Sequence, residues 1–422
     1  MKNDFITRIC SIKNHPLKKK DESFRVKYLK GLGACLSNYK DDKKQIEALY
    51  KAWCLSIIDR EPDNSWLKAP EMKDISRALA LQRNGLRFFT IRKEFFFDCF
   101  YLLGTVSPHK CDALYGWLYE EFCGLFTRLL LKKVYAFFKD GANADMFSKE
   151  QLEHKIVCDR YQSQKEKRIL VVANVSAGKS TLINALVGHR ISRAKAMACT
   201  SKLCYIYNKP VDDGVLSYSN IRNEYSYSNV VDSVTSDVAD RISLKFKSLL
   251  GNQKICFIDT PGINNAENVG HRKITEEAIE SNAYDAVIYV SNCQYFGTND
   301  EYGLLRFLNA KVKRPILFVL NQLDQFVPEE DSVAEMLDEY KSDLLKLGFE
   351  KPVIVPVSAY ASFLFKTDTT RLAKIELRKL ETLYEVFEHE YYDFPRYIGE
   401  QDSKDKLSMT GIISLENKLT II

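Results

Sequence analysis

The chain has 422 residues, of which 45% are hydrophobic and 28% are charged, a composition typical of a soluble globular protein. This length predicts about two or three domains rather than a single hydrophobic core. The net charge of +5 is too small to indicate a nucleic-acid-binding protein, although it is compatible with contact to an anionic membrane surface. No run of about eighteen uncharged apolar residues occurs, so we expect no membrane span.

The 11 cysteines are scattered, mostly within apolar segments, and none forms a C-x-x-C pair. Reduced, buried thiols explain this pattern better than disulfides or a metal site. The amino terminus carries charged residues where a secretory signal would need an apolar run. We therefore predict a cytoplasmic protein whose membrane contact, where it occurs, is peripheral.

Residues 1–160 contain few glycines and prolines, and their charged and apolar residues alternate at spacings of three and four. This spacing predicts an all-α helical bundle. Breaks in the pattern are predicted at Glu61–Ser65, Gly104–His109 and Lys139–Asn143. The aromatic runs Phe95–Tyr101 and Tyr115–Tyr119 fit either a bundle core or a membrane- or partner-binding helix face. We favour the core, because aromatic stripes at helical spacing are usually buried.

Residues 161–422 differ, because short apolar runs now alternate with helical patterns. Such alternation predicts an α/β domain with a mainly parallel sheet flanked by helices. The predicted strands are Arg168–Ala173, Leu203–Asn208, Arg241–Lys247, Ile255–Asp259, Ala286–Ser291, Ile316–Leu320 and Val353–Val357. A charged and aromatic segment at about 362–405 predicts a helical insertion before the last helix.

A small-residue loop joins the first predicted strand to an apolar helix that begins near Ser180. It matches the phosphate-binding pattern G-x-x-x-x-G-K-[ST] at Gly178, Lys179 and Ser180, with Ala173 in place of the first glycine. In this pattern backbone amides surround a polyphosphate, the lysine contacts its β- and γ-phosphates, and the hydroxyl ligates Mg²⁺. The residues predicted to contact the nucleotide here are Asn174, Val175, Ser176, Ala177, Gly178, Lys179, Ser180 and Thr181. The fold class is therefore predicted to be a P-loop α/β domain preceded by an all-α domain.

Polar residues follow two later strands at the edge where an open α/β sheet binds ligands. In the D-T-P-G segment, Asp259 is predicted to hold a water of the Mg²⁺ shell and the Gly262 amide to bond the γ-phosphate. Ser358 and Ala359 follow Val353–Val357, where a backbone amide would meet the O6 atom of guanine.

The segment N-Q-L-D at residues 321–324 corresponds to the guanine-binding pattern N-K-x-D, with Gln322 in place of lysine. Asp324 would accept hydrogen bonds from guanine, whereas adenine offers no matching donors and would leave the carboxylate unpaired. Asn321 is predicted to tie this loop to the base and to the phosphate loop. We expect the Gln322 substitution to affect nucleotide affinity more than specificity.

Two further residues are candidates for a role near the γ-phosphate. Thr200 precedes a predicted strand, where it would complete the Mg²⁺ shell and hold the attacking water, or would simply begin the strand. His271 follows the D-T-P-G segment and could contact the hydrolytic water. We favour an exposed histidine at the start of a helix for that position.

These residues together resemble the dynamin-like GTPases, particularly the bacterial dynamin-family proteins, over about residues 165–422. The similar segments are S-A-G-K-S-T-L-I-N-A-L-V-G from Ser176, A-C-T from Ala198, D-T-P-G-I-N from Asp259, Ser358-Ala359 and T-G-I-I-S-L-E from Thr410. The resemblance implies hydrolysis of GTP to GDP with Mg²⁺ held by Ser180, Thr200 and Asp259. It also implies catalytic roles for Ser176, Lys179, Thr200 and Gly262, with Ser176 helping to seat K⁺ or Na⁺.

The resemblance further implies that two GTPase domains dimerise across the nucleotide face. Dynamins usually carry a long helical stalk after this domain, whereas this chain stops at Ile422. We therefore expect a second copy, a second dynamin-like or stalk-bearing protein, and a peripheral membrane as candidate partners. Two alternatives stay open: a regulatory GTP-binding switch or assembly module with low hydrolysis and no membrane remodelling, and an Era-like ribosome-associated GTPase. The second alternative rests on the N-x-L-x-G spacing at Asn184–Gly188, but no basic RNA-binding domain follows, so no nucleic-acid partner is expected.

Overall fold

The computed structural model describes residues 5–39, 42–67, 72–80, 88–174, 176–192, 202–220, 225–228, 239–262 and 269–422. The chain divides into two compact units. The first comprises Met1–Arg160, Val211–Ser217 and Glu224–Asn229, and the second comprises Tyr161–Pro210, Tyr218–Asn223 and Val230–Ile422.

The described part of residues 5–163 is almost wholly helical, as its sequence spacing predicts. Its helices are α1 (Glu22–Leu36), α2 (Lys43–Ile58), α3 (Met72–Ala80), α4 (Phe88–Val106), α5 (Cys111–Glu121), α6 (Leu125–Asp140) and α7 (Lys149–Ser163). The three predicted breaks are confirmed, because α2, α4 and α6 end at or just before them. α6 ends where Gly141, with a φ of 79°, donates its amide to the carbonyl of Phe137.

Aromatic side chains form the core of the helical unit. The side chains of Phe95, Phe96, Phe97 and Phe100 are fully buried, which confirms the core interpretation of the first aromatic run. The ring of Phe97 stacks on Tyr101 with centroids 6.0 Å apart. In the second run Leu118 is buried, as the core interpretation predicts, whereas Tyr119 is exposed.

In the part of the chain that the structure describes, nine strands form one sheet, and five neighbouring strands in it are parallel. The strands are β1 (Lys167–Ala173), β2 (Cys204–Asn208), β3 (Leu216–Ser219), β4 (Tyr225–Ser228), β5 (Arg241–Leu244), β6 (Ile255–Asp259), β7 (Ala286–Asn292), β8 (Ile316–Asn321) and β9 (Val353–Val357). Their order is β4-β3-β5-β2-β6-β1-β7-β8-β9, and the run from β6 to β9 is parallel throughout. The strand β2 pairs with β6 in the antiparallel sense. The predicted α/β fold class and each of the predicted strands are confirmed, whereas β3 and β4 were not predicted.

The helices of the second unit connect these strands and close the chain. They are α8 (Lys179–Val187), α9 (Val269–Glu280), α10 (Asn299–Lys311), α11 (Val333–Lys346), α12 (Ala359–Lys366), α13 (Lys374–Val386), α14 (Lys406–Met409) and α15 (Ile412–Ile421). The segment predicted as a helical insertion contains the end of α12, all of α13 and several 3₁₀ turns. Within the described ranges, none of the helices is both long enough and apolar enough to cross a bilayer.

A buried ion pair anchors the last helix. Lys366 at the end of α12 pairs with Glu416 of α15, and it also donates to the carbonyl of Ala185 in α8 at 2.8 Å. Burial lowers the pKa of Lys366, although Glu416 opposes the shift. The second oxygen of Glu416 accepts the Leu249 amide at 3.0 Å, so the pair is well hydrogen-bonded.

Candidate nucleotide-binding site

The polar segments predicted from the sequence lie at one edge of the sheet. Because β6, β1, β7, β8 and β9 are adjacent and parallel, the loops that follow them emerge side by side. The pairing of Asn292 with Asn321, and of Asn321 with Val357, shows that β7, β8 and β9 end at the same level. This carboxyl edge is where open α/β sheets bind ligands.

The phosphate loop turns tightly from β1 into α8. Gly178 adopts a left-handed φ of 85°, and a Cβ added there would lie 2.3 Å from Nδ2 of Asn321. Only glycine allows this close approach without moving Asn321. The first amides of a helix have no partner within the helix, so the start of α8 is suited to binding an anion. In this loop Ser176 is exposed, Ala177 and Lys179 are buried, and Asn174, Ser180 and Thr181 are half-buried, whereas Val175 lies outside the described residues.

A buried ion pair joins the phosphate loop to β6. The Lys179 ammonium donates to Oδ1 of Asp259, and the two side chains are 8% and 0% exposed. The hydroxyl of Ser192 donates to the other carboxylate oxygen at 3.0 Å. Ser192 is itself held by Asn184, whose Oδ1 accepts the Ser192 amide at 2.8 Å. The sequence did not predict a role for Ser192, because only the fold brings its side chain to Asp259.

The D-T-P-G segment is fixed by hydrogen bonds on both sides. The Thr260 hydroxyl donates to the carbonyl of Val171 at 2.8 Å, and the Thr275 hydroxyl of α9 donates to the carbonyl of Pro261 at 3.1 Å. Gly262 follows at the surface and is half-buried. Thr200, with Ala198 and Cys199, lies outside the described residues, as do Ile263 and Asn264.

The expectation of an exposed His271 is wrong, because this side chain is only 6% exposed. His271 lies one helical turn before Thr275, so both face the Pro261 side of α9. Its Nδ1 atom has no hydrogen-bond partner among the described residues.

Asn321 connects three loops of the site. Its Nδ2 donates to the carbonyl of Ala177 at 2.9 Å, and its Oδ1 accepts the Ala359 amide at 3.0 Å. One side chain thereby holds the phosphate loop, the segment after β8 and the segment after β9 together. The amide of Ser358 donates to the carbonyl of Thr410 at 3.0 Å, which attaches the last of these to the turn before α15.

Asp324 lies beside Ser358, at the end of the edge that the sequence predicts to bind the base. Burial raises the pKa of the Asp324 carboxyl, while a hydrogen bond from Ser358 opposes the shift. A partly desolvated carboxylate gains most from a ligand that offers it N–H donors. The position and the pKa of Asp324 both suit recognition of a base with an N–H and an exocyclic amine.

Three amide side chains, which the sequence did not predict to interact, meet beside Ser176. Gln322 donates from Nε2 to the Ser176 carbonyl at 3.0 Å. Its Oε1 accepts from Asn292 and from Gln325, each at 3.1 Å. Asn292 also points Nδ2 towards the Ser176 carbonyl at 3.5 Å. These contacts link Gln322 to the phosphate loop.

Two of the residues predicted to hold Mg²⁺ are described, and both have the oxygen donors that this ion prefers. Ser180 offers a hydroxyl in the first turn of α8, and Asp259 offers a buried carboxylate at the end of β6. Mg²⁺ sites of nucleotide enzymes usually combine one or two such protein ligands with phosphate and water. The pair fits this donor set. No cluster of three His, Cys, Asp or Glu side chains suited to a metal occurs in the described ranges.

Comparisons with known proteins agree with a GTPase fold. Residues 169–323 match the model of the Dynamin family. GTPase Era of Clostridium botulinum (strain Alaska E43 / Type E3) is 25% identical over 234 residues, which are 55% of this chain and 58% of that protein. GTPase Era of Clostridium perfringens (strain 13 / Type A) is 25% identical over 193 residues, 45% of this chain and 49% of Era. The chain thus spans about half the length of these curated relatives.

Two of the solved structures that are similar to this chain are a bacterial dynamin pair and a Toc33 complex. An oligomerised bacterial dynamin pair is 15% identical and has a TM-score of 0.36, with coverage of 97% of this chain and 65% of that one. Toc33 from Arabidopsis thaliana in complex with Mg²⁺ and GMPPNP is 15% identical and has a TM-score of 0.32, with coverage of 50% of this chain and 78% of Toc33.

Proposed function

We propose that this chain, whose residues 169–323 match the model of the Dynamin family, binds GTP with Mg²⁺ and hydrolyses it to GDP. The observation that carries the proposal is the side chain of Asn321. It joins the loop suited to phosphates, at Ala177, to the loop suited to a guanine O6 atom, at Ala359. One side chain therefore fixes the position of one end relative to the other.

Lys179 and Asp259 would exchange partners when the nucleotide binds. The pair is buried, so each charge needs a partner of opposite sign. The β- and γ-phosphates give Lys179 that partner, and the lysine stem is flexible enough to reach them. Ser180 and Asp259 would hold Mg²⁺, which neutralises charge on the phosphate oxygens. The protein thus contributes positioning and charge stabilisation rather than covalent chemistry.

Guanine specificity is assigned to Asp324. Its carboxylate would accept from the ring N–H and the exocyclic amine, while the Ala359 amide would donate to O6. Adenine offers neither donor at these positions, so its binding would leave the partly desolvated carboxylate without these two hydrogen bonds. The pKa of Asp324 is raised by burial, so its charged form would gain from the two additional donors of guanine.

The remaining catalytic assignments follow from the family. Ser176 would help to seat K⁺ or Na⁺ between the β- and γ-phosphates, where charge develops during hydrolysis. The Gly262 amide would bond the γ-phosphate, and Thr200 would hold Mg²⁺ and the attacking water. Dimerisation of GTPase domains would order these groups and raise turnover.

A surface of the helical unit supports peripheral membrane contact. Leu125, Phe126 and Leu129 at the start of α6 are 75%, 69% and 59% exposed. Lys132 and Lys133 are exposed on the next turn of the same helix. Apolar side chains beside lysines suit the interface of an anionic bilayer. We name Leu125, Phe126 and Leu129 the α6 patch.

The dependence of turnover on protein concentration tests the enzymatic proposal. GTP hydrolysis is measured with Mg²⁺ across a hundredfold range of protein concentration, in K⁺, Na⁺ and a larger inert cation. We expect specific activity to rise with concentration and to need K⁺ or Na⁺. A flat, low activity would instead support the regulatory switch, and absence of hydrolysis under all conditions would overturn the proposal.

Sedimentation with anionic liposomes tests the membrane proposal. We expect the wild-type chain to sediment, and the substitution Phe126→Glu to reduce the bound fraction several-fold. Leu345→Glu is the matched control, since Leu345 is 51% exposed on α11 and lies apart from the α6 patch in sequence. Equal binding by all three proteins, or by none, would contradict a role for this patch.

A further inference from the structure

The side chains of Asn292 and Gln322 enclose the carbonyl oxygen of Ser176, and we call these three groups the amide clamp. Gln322 donates to this oxygen at 3.0 Å and Asn292 approaches it at 3.5 Å. Asn292 also donates to Oε1 of Gln322 at 3.1 Å. The clamp thus joins the ends of β7 and β8 to the phosphate loop.

The orientation of Asn292 is fixed by its own acceptor. Oδ1 accepts the Gln294 amide at 2.9 Å, so Nδ2 faces Gln322 and Ser176. The side chain of Asn292 is only 8% exposed, whereas the hydrogen bond from Gln322 to Ser176 lies at the surface. Asn292 is therefore held as a donor towards the phosphate loop.

The clamp holds two residues in an unfavourable backbone conformation. Ser176 has a φ of 64° and Gln322 a φ of 72°, although neither is glycine. A left-handed conformation is strained for such residues and persists where surrounding contacts enforce it. The hydrogen bond between these two strained residues is such a contact. Its loss would let the Ser176 backbone relax away from the position that the nucleotide requires.

The chemistry of the clamp explains why glutamine is suited to this position. A lysine has three donors and no acceptor, so it could donate to Ser176 but could not accept from Asn292. Glutamine has both, and each is used. Asn292 and Gln322 are therefore a matched pair, and the pair replaces the charge of the usual lysine with hydrogen bonds.

We propose that Asn292 is a positioning residue for GTP hydrolysis, which acts through Gln322 and the Ser176 carbonyl to place the serine that seats the monovalent cation. The proposal rests on the proposed function, because it needs GTP hydrolysis as its readout. It assigns Asn292 no contact with the nucleotide. Loss of the clamp should therefore lower kcat and weaken activation by K⁺, while the preference for guanine through Asp324 stays unchanged.

The near-isosteric substitution Asn292→Asp tests the clamp, because it replaces the donor with an oxygen that repels both acceptors. We expect kcat to fall about tenfold and the K⁺ concentration for half-activation to rise, since displacements near 1 Å can lower rates by this much or more. The KM for GTP and the ratio of GTP to ATP binding should change by less than about twofold. Asn417→Ala, at an exposed position of α15, is the control and should behave as the wild type.

A second substitution provides the rescue. In the Asn292→Asp background, Gln322→Lys restores a donor that can contact both the new carboxylate and the Ser176 carbonyl. We expect it to recover most of the lost kcat, although Gln322→Lys alone should lower kcat because Asn292 then loses its acceptor. Thermal unfolding of each variant separates folding defects from positioning, since rates are compared per folded molecule.

The outcomes distinguish the two proposals. If the wild-type chain hydrolyses GTP but Asn292→Asp retains its kcat and its K⁺ response, the clamp is overturned and the proposed function stands. A variant that is less stable yet equally active per folded molecule would also overturn the clamp, because the role would then be structural. If the wild-type chain does not hydrolyse GTP, both proposals fail.

Discussion

Asp98 in the helical unit and Asp259 at the edge of the sheet are both fully buried, yet their partners differ. Asp98 accepts hydrogen bonds from Tyr28 at 2.8 Å and from Trp53 and His15 at 3.2 Å each. These donors are rings packed within a helical core. Asp259 instead contacts a lysine on a flexible stem and a serine hydroxyl.

The difference shows that burial alone does not identify a functional carboxylate. The ring donors of Asp98 cannot leave without disrupting the core, so the group is structural. Lys179 can move to another anion because four rotatable bonds separate its charge from the backbone. Substitutions at Asp98 should therefore affect stability alone, whereas those at the pair of Asp259 and Lys179 should also affect chemistry.

The largest expected effect is at Lys179. Lys179→Ala removes the charge assigned to the β- and γ-phosphates, so kcat for GTP should fall about 100- to 1,000-fold, as when one stabilising donor is removed from other enzymes. Steady-state turnover is the measurement, and circular dichroism checks the fold. Lys273→Ala is the control, since this lysine is 78% exposed on α9. Unchanged turnover in Lys179→Ala would contradict a catalytic role for the pair of Lys179 and Asp259.

Asp98→Ala should show the opposite behaviour. It leaves three buried donors without their acceptor, so the free energy of unfolding of the helical unit should fall by about 3 kcal/mol. The chain's 3 tryptophans, at positions 53, 66 and 117, all lie in that unit, so their fluorescence in a denaturant titration reports on it. Asp140→Ala, at an exposed position, should change little. Lower turnover without lower stability would contradict the structural role.

Asp324→Asn should lower the preference for guanine and raise the free energy of unfolding at pH 7. The preference for GTP over ATP should fall about 10- to 100-fold, because an amide cannot accept from both guanine donors. Burial raises the folded pKa of Asp324, so the wild type loses stability as pH rises through that pKa and the carboxylate ionises. The variant avoids this loss, and it should be the more stable protein at pH 7 but not at pH 3. Denaturant titrations at both pH values, monitored by circular dichroism, measure the difference in free energy of unfolding between the variant and the wild type. A difference that is the same at pH 3 and pH 7 would contradict the prediction.

The smallest expected effect is at the α6 patch. Phe126→Ser should change the free energy of unfolding by less than about 0.5 kcal/mol, because the ring is 69% exposed. Phe96→Ala, in the buried core of the same unit, should lower it by about 3–5 kcal/mol. Tryptophan fluorescence during denaturation measures both. Similar losses for the two variants would show that Phe126 is part of the core.

The sequence predicted the positions of the strands and loops better than the contacts between them. A buried run such as residues 255–258 of β6 is recognisable because burial on both faces of a parallel sheet requires apolar residues throughout. The four-residue strands β3 and β4 contain alternating serine and tyrosine, which gives no comparable signal.

Contacts that depend on packing could not be predicted. Ser192 meets Asp259, and Asn292 meets Gln322, because separate strands and loops converge at one edge of the sheet. Nothing in the local sequence of either residue marks that partner. The burial of His271 depends in the same way on the face that α9 turns towards Pro261.

Competition binding tests the central claim most directly, because it needs no catalytic step. A fluorescent GDP analogue is bound to the wild-type chain with Mg²⁺ and displaced by unlabelled GTP or ATP. GTP should displace it at concentrations about 100-fold lower than ATP does, since adenine leaves Asp324 unpaired. Equal displacement by the two nucleotides, or no binding of the analogue, would contradict a guanine-nucleotide site at this edge of the sheet.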